Sequence, residues 1–290
     1  MFELFKFLKQ IITMLILVVI LAGLPQMLAI NEDGLLFITP ENVILQTGAL
    51  IHDVSQGTLG QYISGFNTRS ISEDILPFAK QSFILLLSSL LVAIIVSILF
   101  GLFLHRWRVI TWIKKMLDFI SIIPDFILIL FCLFLTVTIY KTTGVRLLTI
   151  SPLSNDLSRI WFPILILSIG PMLYLVKLVD LTYKQVGGED YIRTAVAKGF
   201  GGFHVQLHHM YKNIKPFFIA DLKKAISISV TNLFIVEYLL NVSGITRFIF
   251  GAYQFNIVVI GLCTLLLITG LVYAMIRLLL YLFERGFIYE

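Results

Sequence analysis

In a chain this apolar, the residues able to hold a proton, a metal ion or a charge stand out by their isolation. Asp125, Lys177, Asp180 and Glu237 each sit within a run of hydrophobic residues, and His204, His208 and His209 crowd together further along. An acid inside a membrane faces a cavity or a partner. Asp125 lies seven residues past Asp118, about 10 Å deeper along a helix, so it faces a polar pathway or pairs with a basic residue of another helix. Lys177 and Asp180 would each cost about 2.5–3.5 kcal/mol at mid-bilayer. Lys177, however, is sixteen residues past Trp161, about 24 Å along the helix, so it reaches the interface, snorkels, and is expected to form a structural pair with Asp180. His204 and His208 are four apart like a zinc pair, but no Glu follows His204 as a His-Glu-x-x-His site requires. The three histidines read as a solvated or subunit-contacting surface, and no metal site is expected. Cys132 and Cys263 lie in apolar runs without a Cys-x-x-Cys pair and read as small core residues. No nucleophile, base and orienting group can be assembled, so catalysis is not expected of the chain.

These residues need elements to position them. Of 290 residues, 58% are hydrophobic and 13% charged, with a mean hydropathy of +0.95. A soluble domain would have too little polar surface for such an interior. The formal charge of +5 is spread in short clusters beside apolar runs, which excludes a nucleic-acid surface and favours lipid headgroups. A spanning helix needs about 20 apolar residues. Six candidates meet that length: roughly 8 to 30, 77 to 104, 117 to 140, 160 to 183, 217 to 242 and 257 to 282. The first resembles a signal peptide in Lys6 and Lys9, but its apolar stretch is long and "MLA" cleaves poorly, so it is read as an uncleaved helix. The expected fold is therefore all-α and polytopic. Residues 1–76 supply the first helix and an outer loop, and 77–290 supply the core.

Lysines and arginines set the orientation. Lys6 and Lys9, then Arg106, Arg108, Lys114 and Lys115, then Lys184, Arg193, Lys198, Lys212 and Lys215 fall on one side. Residues 31 to 76 carry Glu32, Asp33, Glu41, Asp53, Glu73 and Asp74 against Arg69, while Lys141, Arg146 and Arg159 weaken the asymmetry in the second outer loop. Both termini are placed in the cytoplasm. Pro124, Pro163, Gly170-Pro171, Gly261 and Gly270 interrupt the spans, and the backbone groups they free need neighbouring helices. A packed bundle follows.

"GGEDYIRTAVAKGFGG", residues 187 to 202, breaks the apolar pattern. The paired glycines end one helix and allow a change of direction. Glu189 and Asp190 favour the positive end of a new short helix, and Glu189 stands four residues ahead of Arg193 in the better orientation for a pair. Gly199 stops it. Tyr191, Thr194, Ala195 and Lys198 share one face, on which the small Ala195 allows close approach. The segment is a rigid knob shaped for docking, within a loop of about 184–216, or else a solvated connection.

"EDYIRTAVAKG" closely resembles the cytoplasmic "EAA" loop of ABC importer permeases, in the form used by the oligopeptide, dipeptide and nickel branch; Glu189, Asp190, Tyr191, Arg193, Thr194, Ala195, Ala197, Lys198 and Gly199 all fit. "GTLGQYISG", Gly57 to Gly65, is similar to the family's outer-loop stretch. "SIIPDF", Ser121 to Phe126, is similar to its Ser-Ile-Pro-x-Phe with one residue added. In "VEYLLNVSGITR", Glu237, Gly244 and Arg247 keep the family spacing. The resemblance covers roughly residues 55 to 285. Ser243 stands where Pro is usual, Pro216 comes one residue early, and the chain ends "ERGFIYE" where relatives carry Asp-Pro-Arg, marking a divergent member.

What the resemblance implies is a six-span type I importer permease in a bacterial inner membrane, one half of a pathway completed by a second permease subunit. The knob would be a coupling helix gripped by one of two cytoplasmic ATPase subunits. This chain has no Gly-x-x-x-x-Gly-Lys-Ser/Thr loop to cradle a nucleotide, so ATP and Mg would bind the ATPases. An extracytoplasmic binding protein or lipoprotein would deliver a peptide, related small solute or metal chelate. Asp125, Glu237 and Gly244 are candidates for the pathway or a gate. The competing readings are a proton-coupled secondary transporter using Asp125, Asp180 or Glu237, and a structural or assembly subunit.

Overall fold

Long apolar segments become helices because hydrocarbon offers no water to their backbone N–H and C=O groups. In the computed structural model, which describes residues 2–30, 36–100, 108–145 and 158–287, this rule shapes most of the chain. Glu32, Asp33, Arg106 and Arg146, counted in the charge asymmetry, and the last three residues of "ERGFIYE" lie outside the described residues.

The elements run α1 (Phe2–Met27), β1 (Leu28–Ile30), β2 (Leu36–Ile38), α2 (Pro40–Ser55), β3 (Gln61–Ser64), β4 (Asn67–Ser70), α3 (Ile71–Ile98), α4 (Arg108–Ile120), α5 (Asp125–Thr143), α6 (Ser158–Gly187), α7 (Asp190–Ala197), α8 (Gly202–His204), a π-helical turn (Val205–Tyr211), α9 (Lys212–Leu239), α10 (Ile245–Ala252) and α11 (Phe255–Phe287). Among the described residues, five stretches are long and apolar enough to cross a membrane: Leu8–Met27, Ile71–Ile98, Asp125–Thr143, Ile160–Gly187 and Phe255–Gly286. The chain is a multi-pass, helical membrane protein. The remaining expected span falls on α9, whose 28 residues reach about 42 Å. Length does not set α9 apart; Lys215, Asp221, Lys223, Lys224 and Glu237 do.

The third expected span, 117 to 140, is two helices. Pro124 is the N-cap of α5, at φ −56° and ψ 138°, because proline has no N–H and pushes the residue before it out of helical backbone. By contrast α6 runs unbroken through Pro163 and Pro171. The outer segment is also more than a loop, since it holds α2 and two antiparallel hairpins.

The chain forms two compact units, one of residues 1–82 and 243–268, the other of 83–242 and 269–290. In the first, α1 packs on α2 through Val18, Ala22 and Val43, joined by Phe255 and Val259. Gly57, Gly60 and Gly65 all take positive φ, which is what the glycines of "GTLGQYISG" provide as the chain turns into the β3–β4 hairpin. The Tyr62 hydroxyl donates to Asp74 Oδ2 at 2.7 Å, and its ring meets Phe248 edge-on at 5.5 Å. Gln254 donates its Nε2 to the Ile63 carbonyl at 2.8 Å and accepts the Ile63 N–H at 3.0 Å. Ser82 Oγ accepts the Ile245 N–H at 2.7 Å, satisfying a donor that the start of α10 leaves without an intrahelical partner.

In the second unit α6 and α9 form the most extensive helix pair, flanked by α5. Leu85, Leu86, Leu90, Leu167, Leu175, Leu222 and Leu233 are fully buried. Because lipid tails are as apolar as leucine, these contribute by close packing more than by leaving solvent. A polar contact crosses this layer where Asn232 of α9 donates Nδ2 to Asp125 Oδ2 of α5 at 2.9 Å. Gly170 of α6 makes room for it, for a Cβ there would lie 2.6 Å from Asn232 Nδ2 and 2.8 Å from Asp125 Oδ2.

Four stability outcomes follow. Gly170→Ala is expected to destabilise by about 1–3 kcal/mol through overpacking. Gly48→Ala in α2, where a Cβ would meet nothing within 4 Å, should gain about 0.5–1 kcal/mol. Ser82→Ala should cost about 1–3 kcal/mol by orphaning the Ile245 N–H, against at most about 0.5 for Ser88→Ala, whose hydroxyl bonds only to its own helix. Unfolding midpoints in detergent check all four.

Candidate functional site

The short rod after α6 is built by local rules. α6 ends at Gly187, and Glu189 N–H then donates to the Val186 carbonyl at 3.1 Å as the chain turns. Glu189 becomes the N-cap of α7 with extended backbone, φ −71° and ψ 144°. That position takes it off the helix, so Arg193 pairs instead with Asp190 at 3.7 Å, three residues away; the expected Glu189–Arg193 pair is replaced. Both partners of the observed pair are exposed, so it adds little stability. Thr194 Oγ1 donates back to the Asp190 carbonyl at 2.9 Å.

At the other end, Gly199 stands at φ +80°. Its N–H donates to the Val196 carbonyl at 3.0 Å, and the Phe200 N–H donates to the Ala195 carbonyl at 3.4 Å. These two bonds make a Schellman stop, whose left-handed residue is glycine because a Cβ there is strained. A side chain at Gly199 would meet nothing within 4 Å, so backbone conformation alone selects the residue.

Ala195 does not share the exposed face expected of it. Ala195 and Ile192 are buried in a cluster with Val186, Val205, Met210, Tyr211 and Ile214, so the small residue brings α7 close to its own chain. Asp190, Tyr191, Arg193, Thr194, Val196, Ala197, Lys198 and Gly199 are exposed. Val196, missed from the sequence, is 59% exposed beside Tyr191 at 42%. Its signal was an aliphatic residue flanking the buried pair, one turn after Ile192.

Below this cluster the π-helical turn runs directly into α9. Tyr211, at its end, is buried and packs edge-on against Phe283 of α11 at 5.9 Å. Burial, and secondarily the Glu284 charge, pushes the Tyr211 hydroxyl up to about 12, and that hydroxyl has no hydrogen-bond partner among the described residues. Lys215 of α9 is ion-paired with Glu284 of α11. The rod is thus joined through packed side chains to two long helices.

The histidines do come together: the His204 and His208 rings stack at 4.3 Å, Phe200 stacks on His204 at 5.0 Å, and His209 meets His204 at 6.0 Å. Among the described residues no group of three His, Cys, Asp or Glu is placed to hold a metal ion. Cys132 and Cys263 are both free thiols, partly buried.

Among the membrane charges, Asp180 pairs with Lys184 at 2.7 Å rather than with Lys177, because an acid four residues ahead of a base is the better helical geometry. Asp125 meets the Asn232 amide and not a basic residue of another helix. Glu237 is fully buried in α9, and Gly244 is the N-cap of α10; they belong to different units.

A family model described as the binding-protein-dependent transport system inner membrane component matches residues 90–288. The chain is 30% identical over 124 residues to a probable peptide ABC transporter permease protein of Sinorhizobium fredii, covering 41% of this chain and 39% of that one. It is 29% identical over 86 residues to a dipeptide transport system permease protein of Bacillus subtilis, covering 30% and 28%. Over 119 residues it is 32% identical to an oligopeptide transport system permease protein of Mycoplasma genitalium, covering 37% and 28%. The chain therefore spans well under half the length of these curated relatives. The family match is broader, taking in the last third of α3 and everything from α4 to the end of α11, and on that ground the chain belongs to the binding-protein-dependent transport system inner membrane components.

Proposed function

We propose that the chain is a permease subunit of an ATP-driven ABC importer for peptides or a related small solute or metal chelate. It supplies half of a pathway, is completed by a second permease subunit in a bacterial inner membrane, and receives substrate from an extracytoplasmic binding protein. The names of the relatives support the substrate class. ATP and Mg belong to two separate cytoplasmic ATPases, one of which grips α7, and on this reading both termini of this chain lie in the cytoplasm.

The observation that carries the reading is how α7 is mounted. Ile192 and Ala195 anchor it in a buried cluster, while Tyr191, Val196, Phe200 and Phe203 leave apolar surface exposed among Asp190, Arg193 and Lys198. Aromatic and aliphatic anchors within a charged rim are the usual make-up of a docking face. Force on that face passes through Tyr211 and Ile214 to α9, and through Lys215 and Glu284 to α11. Asp125 and Glu237, on α5 and α9, are then pathway or gating charges on or beside the helix that moves, and Gly244 frees the turn before α10.

Val196→Asp and Tyr191→Ala are expected to cut ATP-driven uptake in proteoliposomes about tenfold or more, as a loss of about 1.4 kcal/mol in docking implies. Insertion and thermal midpoint should stay unchanged, since both side chains are exposed. Ile192→Ala should instead lower the midpoint, at about 2–5 kcal/mol. Normal uptake with Val196→Asp, or uptake that survives ATP depletion but collapses with the proton gradient, overturns the reading.

A further inference from the structure

α4 is too short to cross a bilayer: its 13 residues extend about 20 Å. Its composition suits the membrane surface instead. Trp112, Met116 and Phe119, at i, i+4 and i+7, are 73, 64 and 70% exposed, and the Lys115 ammonium lies 5.7 Å from the Trp112 ring centre. Ile113, Leu117 and Ile120 are half-buried, and α4 packs on α6. A helix with one apolar side uncovered and basic residues beside it lies in the headgroup layer.

Where the polar side of α4 meets the last turns of α6 there is a cleft of about 120 Å³, lined by Leu117, Asp118, Ser121, Lys177, Asp180 and Lys184 among others. One water needs only roughly 10–15 Å³, so the cleft admits a larger polar group. Its charges are not equivalent. Asp180 and Lys184 neutralise each other at 2.7 Å. Lys177 and Asp118 remain, one of each sign, both exposed and neither in an ion pair among the described residues, with the Asp118 charge acting more distantly on Lys184.

We propose that this cleft binds the headgroup of a zwitterionic phospholipid carrying a primary ammonium. The phosphate sits on Lys177 and the ammonium on Asp118. A primary ammonium offers three N–H donors to the carboxylate, whereas a trimethylammonium offers none, so Asp118 selects between two headgroups of equal net charge. A phosphatidylglycerol headgroup supplies the phosphate but leaves Asp118 unanswered. The occupant is lipid because the cleft borders an interfacial helix at the end of a span, the level at which headgroups concentrate. The site is independent of the coupling role of α7 and rests only on the chain's being a multi-pass membrane protein.

The test uses the full chain with whatever subunits co-purify. It is delipidated and placed in nanodiscs of equal parts dioleoyl phosphatidylethanolamine, phosphatidylcholine and phosphatidylglycerol, then re-extracted, and the retained lipid is counted by mass spectrometry. Phosphatidylethanolamine should be enriched over phosphatidylcholine by about tenfold, as one charge-assisted hydrogen bond implies. Asp118→Asn should abolish that preference while phospholipid is still retained, and Lys177→Gln should lower retention of all three. Equal retention by the unaltered chain overturns the proposal even where a variant does not fold, and so does a preference that Asp118→Asn leaves intact. Displacement of the lipid by soluble phosphoethanolamine or a free dipeptide assigns the cleft to an aqueous zwitterion and overturns it as well.

Discussion

In hydrocarbon, a polar group that leaves water must find its partner inside the protein. Most of the architecture described here obeys that single demand. The long segments are helical because helices satisfy their own backbones. Some polar side chains within the second unit have answers drawn from other helices: the Asp125 carboxylate from Asn232, and the Lys215 ammonium from Glu284. Such contacts are worth modest energies in membranes. Their value lies in fixing which helix faces which, because leucine packing alone tolerates many arrangements. α9 carries more of these groups than a freely lipid-exposed helix sustains, and it lies against α6 and α5.

The spans were legible because hydropathy over 20 residues is a strong and local signal. The all-helical, polytopic fold follows from it, as does the end of α6 at Gly187 and the stop at Gly199. Partner choice was not legible. Glu189 looked like the mate of Arg193 until its place as N-cap took it off the helix, and Lys177 looked like the mate of Asp180 until Lys184, one turn on, took that role. Ala195 was assigned to the docking face on spacing alone, yet an eight-residue helix has only one side to bury, and Ala195 with Ile192 is that side. Asn232 went unnoticed although it is the one amide between Ala225 and Leu240, where Glu237 is the one charge, a signal equal in kind to that of Asp125. The hairpins were invisible because strands of three and four residues are too short to show an alternating pattern.

The proposed docking rod, α7, and its mount differ in exposure. Its exposed side presents rings and aliphatic groups that a partner could bury, while two inward side chains fix its position on the chain. Beyond it, a π-helical turn leads without interruption into α9. Displacement of the rod therefore moves the base of a buried helix and not a slack connection.

Gln254 gives the outer segment a property that neither hairpin strand has by itself. With its amide it meets both the N–H and the C=O of Ile63, filling at one point the hydrogen-bonding edge of β3 that faces away from β4. An open strand edge is a template for another chain. A single side chain here stands in for a neighbouring strand, and the hairpin is left closed to β-augmentation even when nothing is docked above it.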